Sequence, residues 1–369
     1  MEQFNAPFRY DIVGSFLRPH ELKEARRKFA EGTLSREELT AVEDETISKL
    51  IAKEKEVGLK AVTDGEFRRR WWHLDFIAGL NGISIYDFVT DDFGIKKTMQ
   101  SSFVSSPISF NEAHPFLTHF KRTKEIAGKD TLLKQTIPGP NMVTLSAVLL
   151  SEQYRQAPVY KDLDAMAEDL SAAYRAAIRA FHDAGCRYLQ LDDTSWGALF
   201  SKMHRDRLAA KGYDPDKLID LFGEITEGAL KDRPKDMVIT THMCKGNFQS
   251  HWLYEGTYEK IAKRLLGIEG FDGFFLEYDD ERSGDFAPLR HLKGQKMVLG
   301  LVTTKTPELE DPDHLRRRIM EAAKIVPLDQ LCISPQCGFA STEEGNAVTE
   351  EDQWKKLRLV KEVADSVWH

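Results

Sequence analysis

Short apolar runs, each followed at once by a polar tip, recur eight times along this chain with longer amphipathic stretches between them. They cover residues 10–13, 61–63, 133–137, 188–191, 238–241, 273–276, 297–302 and 332–334. Most are apolar on both faces, the pattern of parallel strands buried on both sides. The intervening stretches read as helices. Ser35-Arg36-Glu37-Glu38 is a capping box that opens a run to Val57, with Gly58 as its stop. Further helical patterns cover 162–184 (ended by Gly185), 215–230, 254–266, 313–325 and 349–367. This alternation predicts an α/β fold, a (β/α)8 TIM barrel. The competing arrangement, an open doubly wound sheet, would carry a Gly-rich dinucleotide turn, and no strand is followed by one.

Two stretches exceed a bare barrel. Residues 1–9 and a helix over 19–30 are expected to cover part of its floor or rim. Residues 74–130, between the second and third strands, are too long for a simple crossover. They hold a predicted hairpin (83–89 with 97–103) and a helix near 115–127, expected as an insertion over the barrel mouth. Residues 1–369 then form a single catalytic domain. With 41% hydrophobic residues the chain has ample material for a core, and a net charge of -8 favours neither nucleic acid nor a membrane surface. No apolar run approaches the ~18 residues of a membrane helix. The N-terminal stretch has neither the basic nor the apolar region of a signal peptide. With only four cysteines (Cys186, Cys244, Cys332 and Cys337), this points to a reducing cytoplasm.

The polar tips converge by topology. Ser15 follows the first strand, Glu66 the second and Pro138-Gly139-Pro140 the third. Asp192 and Asp193 follow the fourth, His242 and Cys244 the fifth, Glu277 the sixth, Lys305 the seventh and Cys337 the eighth. All lie at carboxyl ends, where barrel enzymes build their sites. His242 and Cys244 stand two residues apart, so a strand end points both to one side. An isolated His-x-Cys is often a chance pair. With Glu277 and Cys337 on neighbouring strand ends it becomes a set that zinc (Zn2+) accepts in tetrahedral geometry. Two thiolates and a carboxylate make the site electron-rich, better suited to holding another thiolate than to generating hydroxide, and so to chemistry on sulfur. Cys186 and Cys332 lie at or within strands and are expected in the core. His73 and His251 fall near loops and could line the mouth.

In order and spacing, the motifs VGSF (13–16), DGEF (64–67), LQLDD (189–193), HMC (242–244), LEYD (276–279) and PQCGF (335–339) resemble the catalytic barrel of cobalamin-independent methionine synthase. The resemblance covers essentially the whole chain. It implies a TIM barrel with zinc held by His242, Cys244, Glu277 and Cys337, and homocysteine held by Ser15, Glu66 and Asp192. It further implies a methyltransferase acting on small molecules, taking a methyl group from a 5-methyltetrahydrofolate-type donor to give methionine. The sequence departs from the family at three points. The full-length enzyme carries a second, N-terminal barrel, so this chain looks like a short, single-barrel member. The family's proton-shuttling histidine stands in a His-Ser-Pro context, where this chain has Lys305-Thr306-Pro307; Lys305 or Asp193 could serve in a relay instead. The pattern that grips a polyglutamylated folate is not found within 95–135. Trp71, Trp72, Trp196 and Tyr278 could stack on a flat or cationic donor, or pack beneath the insertion. Two alternatives stay open. One is another thiol or donor, such as methylcobalamin or S-methylmethionine. The other is a barrel lyase or decarboxylase with a structural zinc, gripping an anion through Arg68, Arg69, Arg70 and Lys245.

Overall fold

The computed structural model describes residues 5–90 and 97–368. The strands among them are β1 (Ala61–Val62), β2 (Asn81–Thr90), β3 (Lys97–Ser109), β4 (Leu132–Pro138), β5 (Tyr188–Asp192), β6 (Val238–Met243), β7 (Gly273–Glu277), β8 (Lys296–Val302) and β9 (Leu331–Pro335). Seven form one parallel sheet in the order β1-β4-β5-β6-β7-β8-β9. The order never reverses, as it would in a doubly wound sheet. The first predicted strand is reduced to a parallel bridge from Tyr10 to Ile333 of β9. On its other side, Phe16 N–H donates to the Gly65 carbonyl at 3.1 Å, and the Thr63 hydroxyl donates to the Gly14 carbonyl at 2.8 Å. Residues 10–16 thus occupy the eighth position and curl the sheet towards closure as a TIM-type barrel.

Alternation along the strands separates two cores. Val13, Phe275, Val298 and Cys332 pack inside the barrel. Deeper in the same interior, Lys134 pairs with Asp11 at 3.3 Å, and the Tyr188 hydroxyl donates to Asp11 at 2.8 Å. A buried ion pair persists only with such partners. The outer faces of the strands meet the helices in the main apolar cluster, which includes Leu189, Leu191, Ile239, Phe274 and Leu299.

The helices follow their caps. Arg36–Glu56 carries the predicted capping box: Ser35 Oγ accepts from Glu38 N–H at 3.1 Å, and Glu38 accepts from Ser35 N–H at 2.7 Å. Leu163–Asp183 is N-capped by Asp162 and buries Met166, Leu170, Ala173, Tyr174, Ala177 and Phe181 along one stripe. The helix expected over 254–266 shortens to Glu259–Leu265. The chain before it is tied down because the Lys245 carbonyl accepts from Leu253 and Tyr254 N–H, both at 2.8 Å. Short helices that sequence periodicity did not show follow β4 (Pro140–Val143, continuing as a π-turn over Thr144–Leu149) and β5 (Gly197–Phe200 and Lys202–Ala210). Pro140–Leu149 is buried almost throughout and Lys202–Ala210 buries only His204 and Leu208, so neither displays a repeating apolar face.

The predicted hairpin forms with Ser84 opposite Phe103 and Val89 opposite Thr98; its turn lies outside the described residues. The helix Pro115–Ala127 follows it. Among the described residues no helix is long and apolar enough to cross a membrane.

Candidate active site

Register brings the first group of site residues together. Asp192 at the end of β5 pairs with His242 on β6. Cys244 follows two residues on, just past the strand end. Cys337 comes two residues after β9, across the barrel mouth. The Cys244 and Cys337 sulfurs lie 3.8 Å apart. One ligand atom each from His242, Cys244 and Cys337 lies within 4.8 Å of the others, and all three residues are buried. Two sulfurs each ~2.3 Å from a tetrahedral zinc lie ~3.8 Å apart. The donor set and its spacing therefore fit that ion. His242 Nδ1 stands 3.3 Å from Asp192 Oδ1, the carboxylate–imidazole contact that orients metal-binding histidines.

The family pattern described as the catalytic domain of cobalamin-independent synthase matches residues 9–365. The chain belongs to this family. It is 48% identical to Bacillus subtilis YxjH, an uncharacterised protein, over all of this chain and 96% of that one. A solved Listeria monocytogenes structure, described as a candidate vitamin-B12-independent methionine synthase, is 42% identical, covers 99% of both chains and superposes with a TM-score of 0.78. The 5-methyltetrahydropteroyltriglutamate–homocysteine methyltransferase of Bacillus velezensis is 22% identical over 91% of this chain. The chain spans 40% of that enzyme.

In this cobalamin-independent synthase domain the electrostatics of the thiol cluster are strongly polarised. Cys337 is held well below the ordinary thiol range, chiefly by its hydrogen bond with Cys244 and, against burial, by His242. The same hydrogen bond and burial push Cys244 well above it, with the Glu277 charge adding to the effect. Burial pulls His242 down, but its hydrogen bonds to Asp192 and Cys337 outweigh that and raise it to about 10. Glu277, at the end of β7, stands outside the group of three close ligand atoms. Its carboxylate meets Lys305 and Arg282, both at 3.3 Å, and accepts from Lys245 N–H at 2.8 Å and Gln336 at 3.5 Å.

Beside the thiols lies a cavity of about 210 Å³. Ser15, Glu66, Asp192, His242, Cys244 and Cys337 form its polar side. Trp71, Trp72, His73, Met142 and Phe248 form much of the rest, with Phe88, Met99, Gln100 and Ser101 contributed by the hairpin. Glu66 follows Gly65, and both have left-handed φ angles of 62° and 63°. This turn aims the carboxylate back at the barrel. Glu66 Oε1 meets Arg69 at 3.2 Å and accepts from the Thr136 hydroxyl at 2.9 Å, whereas its Oε2 is buried with no partner. Burial raises Glu66 to about 7, against Arg69 and Arg18. Ser15 is pressed against Gly338, where an added Cβ would stand 1.9 Å from the Ser15 hydroxyl.

Two expected residues do not line this cavity. Asp193 is hydrogen-bonded to the Ser195 hydroxyl and, at 3.1 Å, to Asn141; burial raises it to about 7. Lys305 is held between Glu277 and Asp279 (3.4 Å). Burial works against its charge, but the two carboxylates outweigh burial and raise its pKa. Cys186 and Cys332 are buried away from the site, as their strand positions suggested. His251 is exposed, whereas His73 lines the cavity.

Sequence reasoning missed Gln336, Arg282 and Asn247. Gln336 links Thr304 to Glu277, and its carbonyl lies 3.3 Å from His242 Nε2. Asn247 donates to the Gly338 carbonyl at 2.9 Å. Gln336 lies inside the motif that carries Cys337, and Arg282 and Asn247 within a few residues of another; that position was the only signal. A wider cavity of about 1290 Å³ opens at the other end of the barrel, near Pro7, Arg187 and Lys296. There Arg187 pairs with Asp236 at 3.0 Å and Arg233 with Asp272 at 2.7 Å, and none of the site residues reaches it.

Proposed function

We propose that this chain is a zinc-dependent methyltransferase that moves a methyl group from a 5-methyltetrahydrofolate-type donor to the thiol of homocysteine, giving methionine. The observation that carries this is the pair of buried thiols 3.8 Å apart beside His242, opening on a cavity whose wall holds an unpartnered carboxylate oxygen of Glu66. His242, Cys244 and Cys337 would hold the ion, with Glu277 completing the set. Bound there, zinc supplies thiol activation, keeping a sulfur whose ordinary pKa is ~8.5 as thiolate at neutral pH.

The chain's own residues do the rest. Asp192 fixes the His242 ring. Glu66 Oε2 and Asp192 receive the ammonium of the amino acid, because a carboxylate buried beside a cation makes a short, orienting, charge-assisted bond. The Ser15 hydroxyl serves the substrate carboxylate. Lys305 and Arg282 balance the charge of Glu277. In the transfer a carbon–sulfur bond forms, the carbon–nitrogen bond of the donor breaks, and the thiol proton ends on the departing nitrogen. The aromatic side of the cavity takes the donor. On this reading residues 1–369 act as one catalytic domain, with 74–130 over the mouth, in the reducing cytoplasm.

Metal analysis and a transfer assay test the proposal. The purified protein should carry one zinc per chain and methylate homocysteine. The donor panel is 5-methyltetrahydrofolate with one or several glutamates, methylcobalamin and S-methylmethionine. Cys244→Ser and Cys337→Ser should each lose the metal and at least a hundredfold in rate. Full activity in either variant, or wild-type protein without stoichiometric zinc, would remove the proposal; transfer from only another donor would replace the folate-type compound.

A further inference from the structure

The cavity has two chemically different ends, and the aromatic one contains a polar atom that the reading above leaves unused. His73 lies there between Trp71 (ring centroids 6.3 Å, nearly perpendicular) and Trp72 (4.8 Å). Its Nδ1 is buried and has no hydrogen-bond partner. An orphaned ring nitrogen costs free energy that a phenylalanine filling the same space would not. Loop slack does not account for it. Trp71 forms a bridge with Thr342, Trp72 N–H donates to the Ser341 carbonyl at 3.0 Å, and the His73 carbonyl accepts from Ile77 N–H at 3.0 Å. Ser341 also places its hydroxyl 3.9 Å from Cys337 Sγ. The loop that carries this thiol thus anchors the wall that carries His73.

Among the described residues lining the cavity, three unpartnered polar atoms are buried: Glu66 Oε2, Asn247 Oδ1 and His73 Nδ1. The first answers the ammonium of an amino-acid acceptor. His73, set among tryptophans, faces the other reactant. We propose that His73 is a donor-binding residue, its Nδ1 hydrogen-bonding the polar edge of a flat methyl donor held against Trp72. This inference rests on the methyltransferase reading and adds a residue that the motifs do not contain. Burial lowers His73 to about 4, so the ring is uncharged at neutral pH and pairs with a neutral edge at no cost in charge. The direction of that bond follows the donor, because a neutral imidazole can place its proton on either nitrogen.

The test compares His73→Phe, which keeps the ring and removes the nitrogen, with His73→Asn, whose amide restores a hydrogen-bonding group near the Nδ1 position. The measurements are zinc content, homocysteine affinity by calorimetry, 5-methyltetrahydrofolate affinity by tryptophan fluorescence, and both KM values. His73→Phe should weaken 5-methyltetrahydrofolate binding at least tenfold. Zinc content and homocysteine affinity should stay within twofold, and Tm should hold or rise. His73→Asn should recover most of the lost affinity. Unchanged 5-methyltetrahydrofolate affinity in His73→Phe, or an equal loss of homocysteine and zinc binding, overturns the assignment. Wild-type protein that binds no 5-methyltetrahydrofolate overturns the folate-type reading and the His73 role together. Equal binding by wild type and His73→Phe overturns the role alone.

Discussion

Glu66 occupies a backbone conformation that glutamate seldom adopts. Its left-handed φ of 62° follows another at Gly65, and for a residue with a Cβ this costs about 1–2 kcal/mol. Strain of this kind persists where the surroundings hold it and where the side chain has a task. Here Arg69 and Thr136 hold one carboxylate oxygen, and the other is left bare in the cavity wall. If that oxygen receives an ammonium, affinity depends on its charge. Burial sets Glu66 near 7, so the carboxylate is ionised above that pH and protonated below it. Homocysteine binding to wild type should weaken as pH falls through about 7, by up to tenfold per unit. Glu66→Gln should bind at least tenfold more weakly at pH 8, with a flatter pH profile and an unchanged zinc content. Calorimetric titrations at pH 6, 7 and 8 measure this. Equal affinities for the two proteins would assign the carboxylate to structure alone.

Among the elements, the loop after β9 does several jobs in few residues. It supplies Cys337, presses Gly338 against Ser15, and holds Trp72 through the Ser341 carbonyl. Gly338→Ala would drive a methyl group into the Ser15 hydroxyl, with 1.9 Å between them before any shift. Ser15 must then move, and homocysteine affinity should fall at least tenfold, while Cys337 still permits stoichiometric zinc. Calorimetry beside metal analysis separates the two effects. Loss of zinc as well would mean that the whole loop had been displaced. Elements like this one were only partly legible in the sequence. Strands and capped helices announced themselves because period and caps are local: Ser35 and Glu38, or Asp162, mark a helix start from a few residues. The motif residues at strand ends were legible because the fold itself lines them up. The short helices after β4 and β5 were not, since the first is buried almost throughout and Lys202–Ala210 buries only His204 and Leu208, so neither shows an apolar face against a polar one. Nor did sequence show that Lys305 turns to Asp279 and Glu277, or that Asp193 is occupied by Ser195 and Asn141. The Lys305 contacts and the Asn141 bond depend on neighbours remote in the chain, and the Ser195 bond on a local turn that carries no sequence period.

Across the whole molecule, closing the sheet gathers strand ends at one mouth and buries many ionisable groups there. Their effects on stability oppose one another. Glu66, Asp193 and Asp279 are all raised to about 7 by burial. The folded state keeps protons that the unfolded chain has released, so these acids lose stabilising power as pH rises from about 4 to 7. The buried and half-buried histidines have the other sign. His73 and His119 are lowered to about 4 by burial, the Arg68 charge adding to the effect at His119, and His114 is lowered as well. Below about 6.5 the unfolded chain takes up protons that the folded one refuses. Their contribution is complete above 6.5 and is lost as pH falls towards 4. Because the two sets share a window, wild-type stability should vary only modestly across it, and a single substitution should expose one side of the balance. His119 suits this purpose, since it packs on Phe116 and does not line the catalytic cavity. In His119→Gln, stability at pH 5 relative to pH 7.5 should rise compared with wild type. A shift of this size allows up to about 2 kcal/mol at pH 5, and partial exposure of the ring brings the expectation to about 1 kcal/mol. Urea unfolding midpoints of the two proteins at both pH values measure the difference. Parallel pH profiles would show that His119 takes up its proton in the folded state as readily as in the unfolded one.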